Sequence, residues 1–175
     1  MINDVASSNE PLFDLSALNL QNLPETFPAA GKQAENQDGE KFVVFFLDDE
    51  LFAVSAAAVA EIVRPLEFTP LPNSPAWLLG IANLRGQIIS VLNLSKIFNK
   101  PAVAAGAKAK SIVLKPHAAA AAASIAFPVD RLSEVVMLAP ADVQAVDGAF
   151  LFGTATIETV PVKLLDTEKL LASLL

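Results

Sequence analysis

The chain has 175 residues, of which 53% are hydrophobic, and it carries a net charge of −7 with no cysteine. This length and apolar fraction suffice for one compact domain with an appendage. The lack of cysteine excludes disulfides, zinc–thiolate sites and thiol nucleophiles, and it is compatible with a reducing compartment. Nucleic-acid binding requires a cationic surface that faces phosphates, so the acidic balance predicts no nucleic-acid partner.

The charge is concentrated in residues 1–40, which contain seven acidic residues and one lysine, a balance of −6. The segment is rich in Pro, Asn, Gln and Ser, so it is predicted to be an acidic, disordered N-terminal extension. A cluster of large apolar residues at 11–18 leaves open a short docking segment that folds on a partner or on the domain itself. The chain shows no export signal and no stretch that could span a membrane. We therefore expect a cytoplasmic protein without direct membrane insertion.

From residue 41 onward the sequence predicts a packed domain of short strands. The segments 42–47 and 51–54 flank an acidic turn and are typical of a β-hairpin. One or two helical turns are predicted in the alanine-rich stretch 55–60. The later predicted elements are a strand at 61–64, an irregular proline-rich segment at 65–75, a hairpin formed by 78–82 and 88–94, a helical turn at 95–98, a loop at 100–110 and a strand at 111–115.

The turn of the second hairpin is Asn83-Leu84-Arg85-Gly86. Glycine readily adopts the positive φ that a tight hairpin turn needs, and the arginine is then carried at the tip. The turn predicts a charged group that is presented on a rigid β scaffold.

The sequence also contains an internal repeat at an offset of 73 residues. Residues 52–63 align with 125–136, and Leu79-Gly80 aligns with Phe152-Gly153. Residues 91–98 resemble 163–170 at an offset of 72. Each repeat alone is too small to bury a large core, so two similar β units that share one core are expected. Many short strands with turn signals favour barrels over a parallel sheet.

Three motifs give the chain a resemblance to a known family: Val59-Ala60-Glu61-Ile62, Pro75-Ala76-Trp77-Leu78-Leu79-Gly80 and Asn83-Leu84-Arg85-Gly86. The chain resembles the CheW-like domain of bacterial chemotaxis coupling proteins, and residues 41–175 are expected to form this domain. The resemblance implies a mainly all-β fold of two intertwined, five-stranded, SH3-like β-barrels with short helices. It also implies a non-enzymatic adaptor that binds the regulatory domain of a CheA-type histidine kinase and the cytoplasmic tip of chemoreceptors. Related proteins serve motility through type IV pili.

The chain departs from the family pattern at Ser90 and Asn93, where proline and aspartate are usual. The stretch 134–153 looks shorter than in the family, and alanines occupy 118–123. The last two departures fall in or near the second barrel. They leave open a divergent interaction module for pilus or other regulatory partners.

Five residues are predicted to lie at or near the partner contacts: Val59, Glu61, Asn83, Arg85 and Gly86. Arg85 offers a planar guanidinium with five donors, and the resemblance implies a role for it in coupling; alternatively, it braces its own turn or pairs with an acid of this chain. The resemblance implies a receptor contact at Glu61, whose alternative is a solvated strand residue. It implies a contact at Val59 too, although valine in a strand is more often part of the core.

No catalytic residue, cofactor or metal ion is expected. His117 and the acidic turn 48–50 lack the neighbours of an acid–base or metal site, and the chain has no phosphate-binding glycine loop or nucleophile motif. Trp77, the single tryptophan, is predicted either to fill the gap between barrels or to lie at an interface. A small-ligand-binding double barrel with Trp77 near its groove is a further alternative.

Overall fold

The structure, a computed structural model, describes residues 39–103, 108–116 and 124–174. Most of the predicted acidic extension, His117 and the alanines at 118–123 lie outside the described residues. The described elements are β1 (Glu40–Leu47), β2 (Glu50–Ser55), β3 (Val59–Val63), β4 (Leu78–Leu84), β5 (Gln87–Leu92), α1 (Leu94–Ile97), β6 (Lys110–Leu114), β7 (Ile125–Val129), β8 (Arg131–Leu138), β9 (Gln144–Gly148), β10 (Leu151–Ile157), β11 (Val160–Leu165) and α2 (Thr167–Leu174).

The strands form two sheets, and each sheet contains strands from both halves of the chain. One sheet has the order β3-β6-β7-β5-β4, and the other has the order β8-β1-β2-β11-β10-β9. The β1–β2 hairpin thus joins strands from the end of the chain, while β6 and β7 join strands from its first half. Strands far outnumber helices in the described residues, which confirms the expectation of a mainly β protein. One sheet has the expected five strands, and β9 gives the other a sixth.

The internal repeat keeps its offset of 73 residues to the end of the domain. β4, β5 and α1 begin at residues 78, 87 and 94, and β10, β11 and α2 begin at residues 151, 160 and 167. The predicted slip to an offset of 72 is therefore wrong. The true equivalents are Asn93 and Asp166, whose side chains accept hydrogen bonds from the backbone N–H groups of Lys96 and Lys169, at 3.1 and 2.9 Å. Because neighbouring residues in both segments are apolar, the two sequences can be aligned with a one-residue shift. The N-cap residues of α1 and α2 remove this ambiguity, since each must directly precede its helix.

The helical turns predicted at 55–60 are also wrong. β2 continues to Ser55, residues 56–58 form a turn, and β3 begins at Val59. Val59 pairs with Leu114 of β6, so sheet pairing overrides the helix propensity of the alanines. The helical turn predicted at 95–98 is present as α1, one residue earlier.

Three groups of buried side chains fill the fold. A central cluster draws side chains from both sheets and from the two helices, including Phe45, Phe52 and Phe127. A second cluster belongs to the five-stranded sheet and the segment that follows β3, and a third belongs to the six-stranded sheet. Each sheet therefore contributes side chains to a buried cluster of its own and to the central cluster that it shares with the other sheet.

Glu50 links separate parts of the chain by two ion pairs. Its carboxylate contacts the ammonium groups of Lys100, which follows α1, and of Lys163 in β11, the latter at 2.6 Å. Hydrogen bonds first from Lys100 and then from Lys163 lower the pKa of Glu50 below its ordinary value of 4.5.

A lowered pKa makes this carboxylate a source of acid sensitivity. The ion pairs of Glu50 stabilise the folded protein above pH 4.5, and this contribution is lost as the pH falls through the lower pKa that Glu50 has in the folded state. Because the Glu50 side chain is 38% exposed, we expect Glu50→Gln to reduce the free energy of unfolding at neutral pH by less than about 1 kcal/mol. The deficit should shrink below pH 4.5 in urea titrations. Asp49→Asn, which removes an exposed carboxylate from the same turn, is the control, and an equal pH dependence of both variants would contradict the assignment.

Candidate interaction site

The β4–β5 turn has the geometry of a two-residue hairpin connection. Arg85 and Gly86 adopt φ values of +51° and +83°, and the strands on either side pair directly up to Leu84 and Gln87. Two consecutive positive φ values match the twist of the flanking strands. The Asn83 side chain closes the turn by accepting a hydrogen bond from the Gly86 N–H at 2.8 Å. The predicted hairpin is present, with the arginine itself in a left-handed conformation.

The structure brings Arg85 and Glu61 together. Nη2 of Arg85 lies 3.1 Å from Oε2 of Glu61, and the two side chains are 52% and 16% exposed. The oxygen is buried and accepts no well-aligned hydrogen bond, so the contact is an ion pair that leaves guanidinium donors free for another acceptor. This is the pairing with an acid of the same chain that the sequence left open.

The ion pair joins the two edges of one sheet. Glu61 lies in β3 and Arg85 follows β4, and these strands are the opposite edges of the five-stranded sheet. A side-chain contact between them requires the sheet to curl toward closure. The contact is consistent with an SH3-like barrel, which stays a prediction.

The remaining predicted residues divide between surface and core. Asn83 and Gly86 are exposed beside Arg85, and a Cβ added at Gly86 would meet no atom within 4 Å. Val59 is 1% exposed and belongs to the central cluster, so its side chain is not on this surface. Trp77 is half-buried and packs against the same cluster.

An exposed isoleucine, missed by the sequence analysis, lies beside the turn. Ile88 in β5 is 63% exposed and pairs with Asn83 across the hairpin. A signal for it exists, because Ile88 and Ile89 are adjacent in a strand and must point to opposite faces. The site therefore combines a half-exposed guanidinium, a mostly buried carboxylate and an apolar side chain.

The equivalent turn of the second repeat carries the opposite charge. Glu158 has a φ of +56° and stands at the position of Arg85, and Glu134 stands at the position of Glu61. Both glutamates are exposed. An arginine–glutamate pair is therefore replaced by two acids, and the candidate site belongs to the first repeat alone.

Comparison with known proteins identifies the family. The profile of the CheW-like domain matches residues 41–175, more than three quarters of the chain. The chain belongs to the CheW-like domain family. The mainly β fold agrees with this, since the chain shares its fold with a solved CheW structure at a TM-score of 0.65.

Relatives named for chemotaxis match much of the chain. "Chemotaxis protein CheW" of Helicobacter pylori is 29% identical over 118 residues, which cover 67% of this chain and 69% of the relative. "Chemotaxis protein CheW" of Klebsiella aerogenes is 30% identical over 149 residues, covering 81% and 87%. A crystal structure of the scaffolding protein TtCheW from Thermoanaerobacter tengcongensis matches with a TM-score of 0.65 and 26% identity, covering 73% of this chain and 88% of that chain.

The described residues contain no candidate membrane span and no candidate metal site. In that part of the chain, no helix is both long and apolar enough to cross a membrane. Across the same ranges, no group of three or more His, Cys, Asp or Glu side chains is placed to hold a metal ion.

Proposed function

We propose that this CheW-like domain is a non-enzymatic coupling adaptor of chemotaxis or motility signalling. Its partners would be the regulatory domain of a CheA-type histidine kinase and the cytoplasmic tip of chemoreceptors, which places it in the cytoplasm. The family match over residues 41–175 carries the proposal. An adaptor of this kind acts by holding two partners in one geometry, with the binding energy supplied by a few anchor residues.

The β4–β5 turn is the surface that best suits such an anchor. Arg85 is held in place by Glu61, so less side-chain entropy is lost when a partner binds than for a free arginine. Its remaining donors can pair with a carboxylate or with backbone carbonyls of the partner. Ile88 adds an exposed apolar contact next to the charge. Val59 is left out of this contact because it is buried.

Arg85→Ala tests the proposed anchor. We expect the affinity for the regulatory domain of the organism's own CheA-type kinase to fall about tenfold or more, measured by calorimetry, because a charge-assisted contact is lost. The melting temperature should change little, since the Arg85 side chain is half-exposed and an ion pair that water can reach contributes less than about 1 kcal/mol.

The second repeat supplies the matched control. Glu158→Ala changes the equivalent turn residue, which also has a positive φ, and should leave kinase binding unchanged. A loss of stability by Arg85→Ala as large as its loss of binding would make Arg85 a structural residue. If the unaltered, folded chain does not bind the kinase domain, the proposed partner is wrong and pilus or other regulatory partners take its place.

A further inference from the structure

An open apolar groove lies where the chain enters the six-stranded sheet. It has a volume of about 690 Å³ and lies between the start of β1, the end of β8, and β9 and β10. Its lining includes Phe42, Leu138, Val143, Ala145 and Phe152. Phe42 and Leu138 form its buried floor, and the rings of Phe42 and Phe152 lie 6.1 Å apart.

The groove has one charged lining residue, and that charge is already engaged. Glu40 lines the groove, and its carboxylate accepts a hydrogen bond from the Ser55 hydroxyl. The other lining residues offer apolar side chains or glycine. Such a groove favours an apolar occupant over a charged one.

The equivalent position of the five-stranded sheet is packed more tightly. By strand register, Ala109, just before β6, corresponds to Glu40. Ala109 is 3% exposed, whereas Glu40 is exposed. The two sheets thus differ at this entrance, because the residue before β6 is buried whereas Glu40 is exposed.

We propose that residues 11–18 of the same chain dock in this groove. The chain leaves the described structure at Gly39, which itself lines the groove, so the 38 preceding residues are tethered at its rim. Residues 11–18 read Pro-Leu-Phe-Asp-Leu-Ser-Ala-Leu and hold the densest group of large apolar side chains in that tail. This inference concerns a contact within the chain and does not depend on the proposed adaptor function.

The length of the tail permits the contact. Twenty residues separate Leu18 from Gly39. A flexible chain of that length has an average end-to-end distance of about 25 Å, which is ample for a site that begins at the tether point. A tethered segment of this kind has an effective concentration of about 1 mM, so even a contact with a dissociation constant near 1 mM is about half-occupied. Docking would close the groove to apolar groups of a partner until the segment is displaced.

The test uses the full-length chain and its lack of cysteine. Ser16→Cys provides a single attachment site for a nitroxide spin label. We expect the label to broaden the backbone amide NMR signals of Val143, Ala145 and Phe152 more strongly than those of the β4–β5 turn in the other sheet. Adding Phe13→Asp should return these signals to at least about twice their broadened intensity, because the tether is the same and the apolar contact is lost.

A groove variant and a mixed sample complete the test. Ala145 is exposed, so Ala145→Glu should preserve the fold while placing a carboxylate in the groove, and it should relieve the broadening as Phe13→Asp does. Broadening that is unchanged by both substitutions would overturn the proposal, as would its absence from the labelled chain. Broadening of an isotope-labelled chain by a separate spin-labelled chain would assign the contact to a second copy and overturn docking within one chain.

Discussion

Replacing Gly80 with alanine is expected to lower the free energy of unfolding by about 3 kcal/mol or more. Gly80 has a φ of +150°, which side-chain-bearing residues rarely adopt, and a Cβ there would lie 2.2 Å from the carbonyl oxygen of Thr69. That oxygen cannot move away freely, because it accepts a hydrogen bond from the Ile81 N–H at 3.0 Å. The substitution would break the bridge that fastens the proline-rich segment to β4.

Thermal and urea unfolding measure this effect, and Gly86→Ala is the matched control. Gly86 has a φ of +83° but open space around it, so alanine there meets backbone strain alone, about 1–2 kcal/mol. For a domain of this size, the Gly80 variant should melt about 10 °C or more below the unaltered protein. Equal losses at both glycines would show that steric exclusion by Thr69 contributes nothing.

Phe45→Ala is expected to destabilise the protein by about 3–5 kcal/mol. Phe45 is fully buried in the central cluster, with its ring 6.2 Å from that of Phe52 and 5.7 Å from that of Phe127. Phe45 and Phe52 belong to the six-stranded sheet, whereas Phe127 belongs to the five-stranded sheet. The cavity left by the ring would therefore weaken both sheets at once.

Urea unfolding followed by two signals checks this expectation. Trp77 fluorescence and far-UV circular dichroism should report one shared transition, because the exchanged hairpins and the central cluster couple the two sheets. Phe46→Ala is the control, since its half-buried ring stacks on the Arg131 guanidinium outside the core and should cost about 1 kcal/mol. Two separate transitions would contradict a shared core.

The sequence predicted the local features of the candidate site well. A tight hairpin at Arg85-Gly86 follows from turn chemistry, and the structure contains it. The role of its neighbours was harder to predict. The alternation of side chains along a strand shows which residues share a face, but it does not show which face is buried. Val59 and Ile88 therefore could not be assigned to core or surface from the sequence.

The contact between Arg85 and Glu61 depends on strands that are distant in sequence. The sequence allowed Arg85 an internal acidic partner without identifying it. Glu61 became that partner because β3 and β4 are opposite edges of a curled sheet. No local sequence pattern predicts that the two edge strands of this sheet come into contact.

By itself, the sequence determined the mainly β character, the two related units and the turn that carries Arg85, because propensity, periodicity and repetition are local properties. The tertiary structure alone decided that β1–β2 and β6–β7 exchange sheets, that Gly80 must lack a side chain against Thr69, and that the repeat keeps its offset of 73. These features arise from pairing and packing between segments far apart in the chain. An apolar strand face must be covered, but its residues do not specify which distant segment covers it.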